Sequence, residues 1–121
     1  MAMTRSLRIV VADDEVDIRD YLETLLPRLG HEVVGLAENG HQLVELCESE
    51  HPDLVITDVT MPGMNGLEAI QRMAQTQDIP VIIISAHQRD DSTENPLIVE
   101  YLLKPVSMTE LSDAIDRAAL S

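Results

Sequence analysis

A chain of 121 residues has room for one hydrophobic core of ordinary size and not for two. Its 22 acidic residues against 8 basic ones give a formal charge of -14, which opposes approach to a nucleic-acid backbone or to an anionic membrane. The single cysteine, Cys47, excludes an intrachain disulfide, and no apolar run reaches the length of a membrane span. The first six residues are too short and polar for a secretory signal, so the expectation is one cytoplasmic domain over residues 1–121. Phe and Trp are absent and only Tyr21 and Tyr101 carry rings, so the core must be aliphatic, which favours buried parallel strands and Leu-rich helices.

Leu7 to Ala12 reads as a short apolar strand that stops at Asp13, Asp14 and Glu15. Ile18, Tyr21, Leu22, Leu25, Leu26 and Leu29 then recur at helical spacing, with Gly30 as a left-handed stop and Pro27 predicting a bend or loosening of the last turn. Val33 to Ala37 predicts a second strand, Asn39-Gly40 a turn, and His41 to Glu50 a helix in which Cys47 is a small core residue. Leu54 to Thr57 predicts a third strand ending at Asp58. The turn formers Met61 to Gly66 follow, and then a helix through Leu67, Ile70 and Met73.

Val81 to Ile84 is the strongest strand, and a fifth runs through Leu102. Between them Gln88 to Pro96 has no apolar residue before its proline, so the fourth helix is expected to be shortened or irregular, with Asn95 as its cap and Pro96 as its first residue one way to start it. Ser107 and Glu110 predict a capping box for a last helix through Leu111, Ile115 and Ala118. Strands alternating with helices define an α/β class, a doubly wound five-stranded parallel sheet with helices on both faces.

A parallel sheet delivers every strand's C-terminal end to one edge, where ligands bind. Here those ends carry Asp13 and Asp14, Asp58, Ser85 and Lys104, while the strand interiors are almost wholly apolar. Singly, each has an ordinary explanation: helix cap, turn residue, small terminator, solvated cation. Together they are fit for one reaction. Gathered carboxylates repel by about 4 kcal/mol for a pair roughly 4 Å apart at an effective dielectric near 20, so a positive partner is required. A hard divalent cation with oxygen ligands suits them, and Mg²⁺ most of all, with Mn²⁺ as a substitute. His31, His41, His51 and His87 lie in separate segments and suggest surface or loop residues, not a zinc site. Asp58, exposed by the turn that follows its strand, is the candidate nucleophile toward phosphorus, with Lys104 as cation and Ser85 as hydroxyl donor.

The segments Val11-Ala12-Asp13-Asp14-Glu15, Thr57 to Gly66, Ser85-Ala86 and Tyr101-Leu102-Leu103-Lys104-Pro105 resemble, in order and spacing, those of response-regulator receiver domains of the CheY-like superfamily. The flavodoxin-like strand order 2-1-3-4-5 comes with the resemblance, being that of the chemotaxis member used as the standard example of the fold. The resemblance implies that Asp58 takes a phosphoryl group from a sensor histidine kinase or phosphotransfer protein, after which the domain switches its surface toward a downstream protein or output domain. It implies a phosphoprotein of two-component signalling, not an enzyme beyond assisting its own phosphorylation and dephosphorylation. Asp14 and Asp58 would ligate Mg²⁺ directly, Asp13 through water and Thr60 through its backbone carbonyl. Ser85 and Tyr101 match the family's switch pair, Thr60 and His87 the positions that tune acyl-phosphate hydrolysis, and Lys104-Pro105 a cis peptide.

The interval from Ser85 to Tyr101 is shorter than usual in such domains and lacks their Ala-rich helix, which places the signalling surface in question more than the chemistry. A flavodoxin-like cofactor protein would need a Ser, Thr and Gly-rich first loop where this chain has Asp-Asp-Glu. An aspartate-nucleophile phosphatase would need paired aspartates where Asp58-Val59-Thr60 offers one. The alternative that survives is a degenerate receiver acting as a phosphorylation-independent protein-interaction module.

Overall fold

The computed structural model describes residues 5–89 and 94–120. Its strands are β1 (Arg8–Ala12), β2 (Glu32–Ala37), β3 (Leu54–Thr57), β4 (Val81–Ser85) and β5 (Ile98–Leu103). They form one sheet in the order β2-β1-β3-β4-β5, and every pairing is parallel. Its helices are α1 (Val16–Arg28), α2 (Gly40–Glu50), α3 (Gly66–Met73) and α4 (Met108–Ala119). The expected flavodoxin-like sheet and its strand order are therefore observed, with most element ends within a residue of the expected ones.

The two-residue period of the strands sorts the core into two layers. Val10, Ala12, Val55, Val81 and Ile83 face Leu43 and Cys47 of α2 and Ile70 and Met73 of α3. Ile9, Val11, Leu54, Ile56, Ile82 and Ile84 face Leu22, Leu25 and Leu26 of α1 and Leu111 and Ile115 of α4. Both faces are covered, which is why the inner strands are apolar without alternation. Each such side chain contributes about 1.5–3 kcal/mol on burial. Cys47 is fully buried, and burial pushes its thiol up to about 12, so it is a packing residue.

Helix ends follow the sequence signals. Asn39 caps α2 through Gln42 N–H at 2.9 Å, while Asn65 with Glu68 and Ser107 with Glu110 form capping boxes on α3 and α4. Pro27 lies inside α1, and the helix continues through it to Arg28, with Leu29 N–H still reaching Leu25 O at 3.2 Å. Gly30 at φ +92° lets its own N–H reach Pro27 O at 3.0 Å and His31 N–H reach Leu26 O at 3.0 Å, a Schellman closure.

The connection from β4 to β5 is irregular where it is described. Residues 90–93, part of the stretch read as a shortened fourth helix, lie outside the described residues, and among those described in this connection none is helical. Asn95 does not cap a helix. Its side chain accepts from Leu97 N–H at 3.0 Å and its carbonyl from Ile98 N–H at 2.9 Å, a turn that feeds straight into β5. Short amide side chains compete with helix formation in this way.

His31 lies in the loop between α1 and β2, one of the two expected places, but it is buried at 6 % exposure, and its Nδ1 accepts the Leu7 N–H at 3.1 Å, which requires a neutral ring protonated on Nε2. Burial holds its pKa below 6.5, with Asp116 opposing. As pH falls through 6.5 the unfolded chain therefore takes up the proton first, and stability declines until the folded ring protonates too. Urea titrations across this range are expected to show that decline in the wild type and a flatter profile in His31→Gln.

Glycines provide a separate test of packing. A Cβ on Gly66 would stand 2.1 Å from the Asp58 carbonyl oxygen, whereas at Gly30 nothing lies within 4 Å. Gly66→Ala is expected to cost about 2–3 kcal/mol by overpacking. Gly30→Ala should cost only about 1 kcal/mol, through its positive φ, with both read from the urea midpoint at unchanged slope.

Candidate functional site

The sheet register places the candidate residues on one rim. Ala12 is level with Thr57, Thr57 with Ile83, and Ser85 with Leu103. The backbone ladder continues past the strand ends: Asp13 N–H to Ala37 O at 3.0 Å, Asp58 N–H to Ala12 O at 2.9 Å, and Lys104 N–H to Ser85 O at 2.8 Å. These bonds fix the main chain of the candidate positions before any side chain is considered. The Lys104–Pro105 peptide is cis.

Lys104 reaches back across the rim. Its Nζ lies 3.1 Å from Asp13 Oδ2, 2.9 Å from Asp58 Oδ2 and 2.8 Å from Glu15 Oε1. Its side chain is 12 % exposed, that of Asp13 2 % and that of Asp58 8 %, so these charges meet largely out of water, while Glu15 stands in solvent. Asp13, Asp14, Glu15 and Asp58 each offer an oxygen, all within 4.8 Å of one another. Strand-end position gathers Asp13, Asp14 and Asp58, and the structure adds Glu15 to them. Its only sequence signal was its place at the end of the acidic run, which the start of α1 explains equally well.

Burial is the largest influence on Asp13 and raises its carboxyl pKa, against the Glu15 N–H bond to Oδ1 at 2.9 Å and the Lys104 contact. Burial alone would lower the Lys104 pKa, but its hydrogen bonds to Glu15, Asp58 and Asp13 prevail and raise it, so it stays a cation. Asp58 Oδ1 accepts from Val59 N–H at 2.6 Å and from Thr60 N–H at 3.3 Å, which anchors one oxygen while Oδ2 faces Lys104. Gly66 N–H returns to Val59 O at 2.8 Å, and its lack of a side chain lets α3 begin against the Asp58 carbonyl.

Ser85 is buried, and its Oγ accepts from His87 N–H at 3.1 Å. Tyr101 Oη donates to His87 O at 2.9 Å while its ring packs against the α2 and α3 side of the core. The pair Ser85 and Tyr101 therefore shares His87 as partner. Asp14, Thr60 and His87 are exposed at the same end.

Comparison with known proteins agrees with this geometry. The family described as response regulator receiver domain matches residues 9–116, and the chain belongs to that family, the receivers of two-component signalling. The transcriptional regulatory protein PdtaR of Mycobacterium tuberculosis is 38 % identical over 114 residues, which cover 92 % of this chain and 56 % of that protein. The probable transcriptional regulator ycf27 of Cyanophora paradoxa is 39 % identical over 111 residues, covering 89 % of this chain and 46 % of the relative. The chain thus spans about half the length of these curated relatives.

Among solved structures, the signal receiver domain of the putative response regulator NarL from Mycobacterium tuberculosis superposes with a TM-score of 0.85 at 28 % identity, covering 98 % of this chain and 99 % of that one. The response regulator PhyR from Brucella abortus gives 0.86 at 30 % identity, covering 96 % and 49 %. Among the described residues no helix is long and apolar enough to cross a membrane.

The raised Asp13 pKa has a sign. Folding disfavours its ionised form, so as pH rises above 3.8 the unfolded chain releases that proton first and the metal-free protein loses stability until the folded carboxyl has ionised. Asp13→Asn, which keeps an acceptor for Glu15 N–H, is expected to melt higher than the wild type at neutral pH in a chelating buffer. The advantage should disappear below pH 3.8.

Proposed function

We propose that the chain accepts a phosphoryl group on Asp58 from a phosphohistidine of a sensor kinase or phosphotransfer protein. The observation that carries this reading is the convergence of Lys104 Nζ on Asp13 Oδ2 at 3.1 Å and Asp58 Oδ2 at 2.9 Å, from three different strand ends. The all-oxygen donor set within 4.8 Å suits a hard divalent cation, Mg²⁺ or Mn²⁺. Asp14 and Asp58 would hold it by their side chains, Asp13 through water and Thr60 by its carbonyl. A bound cation supplies positive charge against the phosphoryl oxygens as they approach carboxylates.

The chain's own residues do the rest. An Asp58 oxygen forms the bond to phosphorus as the P–N bond of the donor breaks, its electron pair returning to the imidazole. Lys104, freed from one of its carboxylates, pairs with a phosphoryl oxygen. The Ser85 hydroxyl, which accepts from His87 N–H, still has its own hydrogen to donate to the phosphoryl group. As it shifts, Tyr101 leaves His87 O and turns inward, altering the β4–β5 surface that a downstream protein or output domain reads. Thr60 and His87, exposed at this rim, set how readily water reaches the acyl phosphate. In this reading residues 1–121 act as one receiver domain and turn over no external substrate. Transcriptional control, named for PdtaR and ycf27, would come through a partner or output domain, since a charge of -14 opposes direct contact with DNA.

A second reading has one observation in its favour. No described residue between β4 and β5 is helical, so the surface usually moved by phosphorylation is altered, and the chain would serve as a phosphorylation-independent binding module. Incubation with acetyl phosphate and Mg²⁺ separates the two. Intact mass is expected to rise by one phosphoryl group in the wild type, not in Asp58→Asn, and not when the cation is chelated. A gain in both proteins, or in neither, would reject Asp58 as acceptor.

A further inference from the structure

We propose that Arg19 is a positioning residue that latches the loop between β1 and α1 so that its carboxylates stand ready for the cation. The inference rests on the reading of Asp13 and Asp14 as cation ligands. Its basis is a chain of contacts that runs from α2 to the acidic rim. Arg19 Nη1 donates to the main-chain carbonyl of Asp13, and Nη2 donates to Glu38 Oε1 at 3.3 Å. Glu38 is placed in turn by its own N–H, which donates to Gln42 Oε1 at 2.7 Å. The Arg19 side chain is 13 % exposed although it lies on the first helix turn beside solvent, so the guanidinium is laid down into the fold.

The partners explain why this matters. Asp13 is held at every other polar atom: N–H by Ala37 O, Oδ1 by Glu15 N–H, Oδ2 by Lys104. Its carbonyl is the remaining handle, and Arg19 takes it. Repulsion among four carboxylates, three of them paired with Lys104, pushes the loop outward, and a bond to the main chain resists that push without occupying a carboxylate oxygen. Arg19 forms its ion pair with Glu38, outside the four-carboxylate group, so it does not compete with a cation as Lys104 does. A planar fork spans a carbonyl and a carboxylate at once, which a lysine ammonium does less well.

Geometry and charge predict opposite signs for one substitution. Removing a nearby positive charge would, by itself, tighten cation binding; removing a latch would weaken it. Mn²⁺ binding to the full chain, followed by the spectroscopic signal of the free ion, is expected to be about tenfold weaker in Arg19→Met, in the range for residues that orient metal ligands. Arg19→Lys should recover part of the loss, and Gln42→Ala, which changes no charge but frees the Glu38 main chain, should weaken binding in the same direction even if Arg19→Met does not fold. In metal-free protein the Asp13 and Glu15 amides should exchange about tenfold faster in Arg19→Met at a similar melting temperature. Wild-type uptake of Mn²⁺ that Arg19→Met or Gln42→Ala equals or exceeds would overturn the latch alone. A wild type that takes up no Mn²⁺ would overturn the cation reading beneath it.

Discussion

Like charges brought together out of water set the terms for the rest of this fold. Lys104 Nζ stands within 3.1 Å of carboxylate oxygens from Asp13 and Glu15 in one loop and Asp58 in another, so three distant segments meet at one ammonium. Without that ammonium the rim would hold several mutually repelling anions, two of them buried. The parallel sheet makes the meeting feasible, because its register brings the ends of β1, β3, β4 and β5 level and its two apolar layers hold them there. The aliphatic bulk of the chain thus acts as a rigid mount for a small, electrostatically stressed edge.

That stress also accounts for how the loops are built. The main chain at Asp13, Asp58 and Lys104 is tied to neighbouring strands by backbone bonds. Gly66 admits α3 against the Asp58 carbonyl, and the Asn65 cap fixes where that helix begins. Local choices and global fold agree at each of these positions, the condition under which a sequence specifies a single arrangement.

How much of this was legible before the coordinates follows from the range of each interaction. Elements with strong periodicity and local capping, such as α2, α3 and α4, could be read because their determinants lie within a few residues. The convergence of Asp13, Asp58, Ser85 and Lys104 could be read because strand-end position is a property of the sheet and not of any contact. Glu15 could not be assigned, since its pairing with Lys104 spans most of the chain and depends on a rotamer. The burial of His31 is hidden for a related reason. Its place in a loop after a helix stop is legible, but that Leu7 needs its ring as an acceptor is a contact between distant residues. Asn95 was ambiguous because the same side chain serves a helix start or a turn, and only the buried Leu97 and Ile98 decide between them.

One residue ties two others together in a manner that bears on how such a domain changes state. His87 donates its amide hydrogen to Ser85 Oγ and accepts at its carbonyl from Tyr101 Oη. A single short segment of main chain is thus a common hinge pin for a buried hydroxyl and a half-buried ring. Displacing that segment strains both attachments together, each worth roughly 1 kcal/mol, so intermediate positions satisfy neither. A rearrangement of either side chain therefore bears on the other, because the two share a few atoms of main chain and no direct contact is needed to couple them.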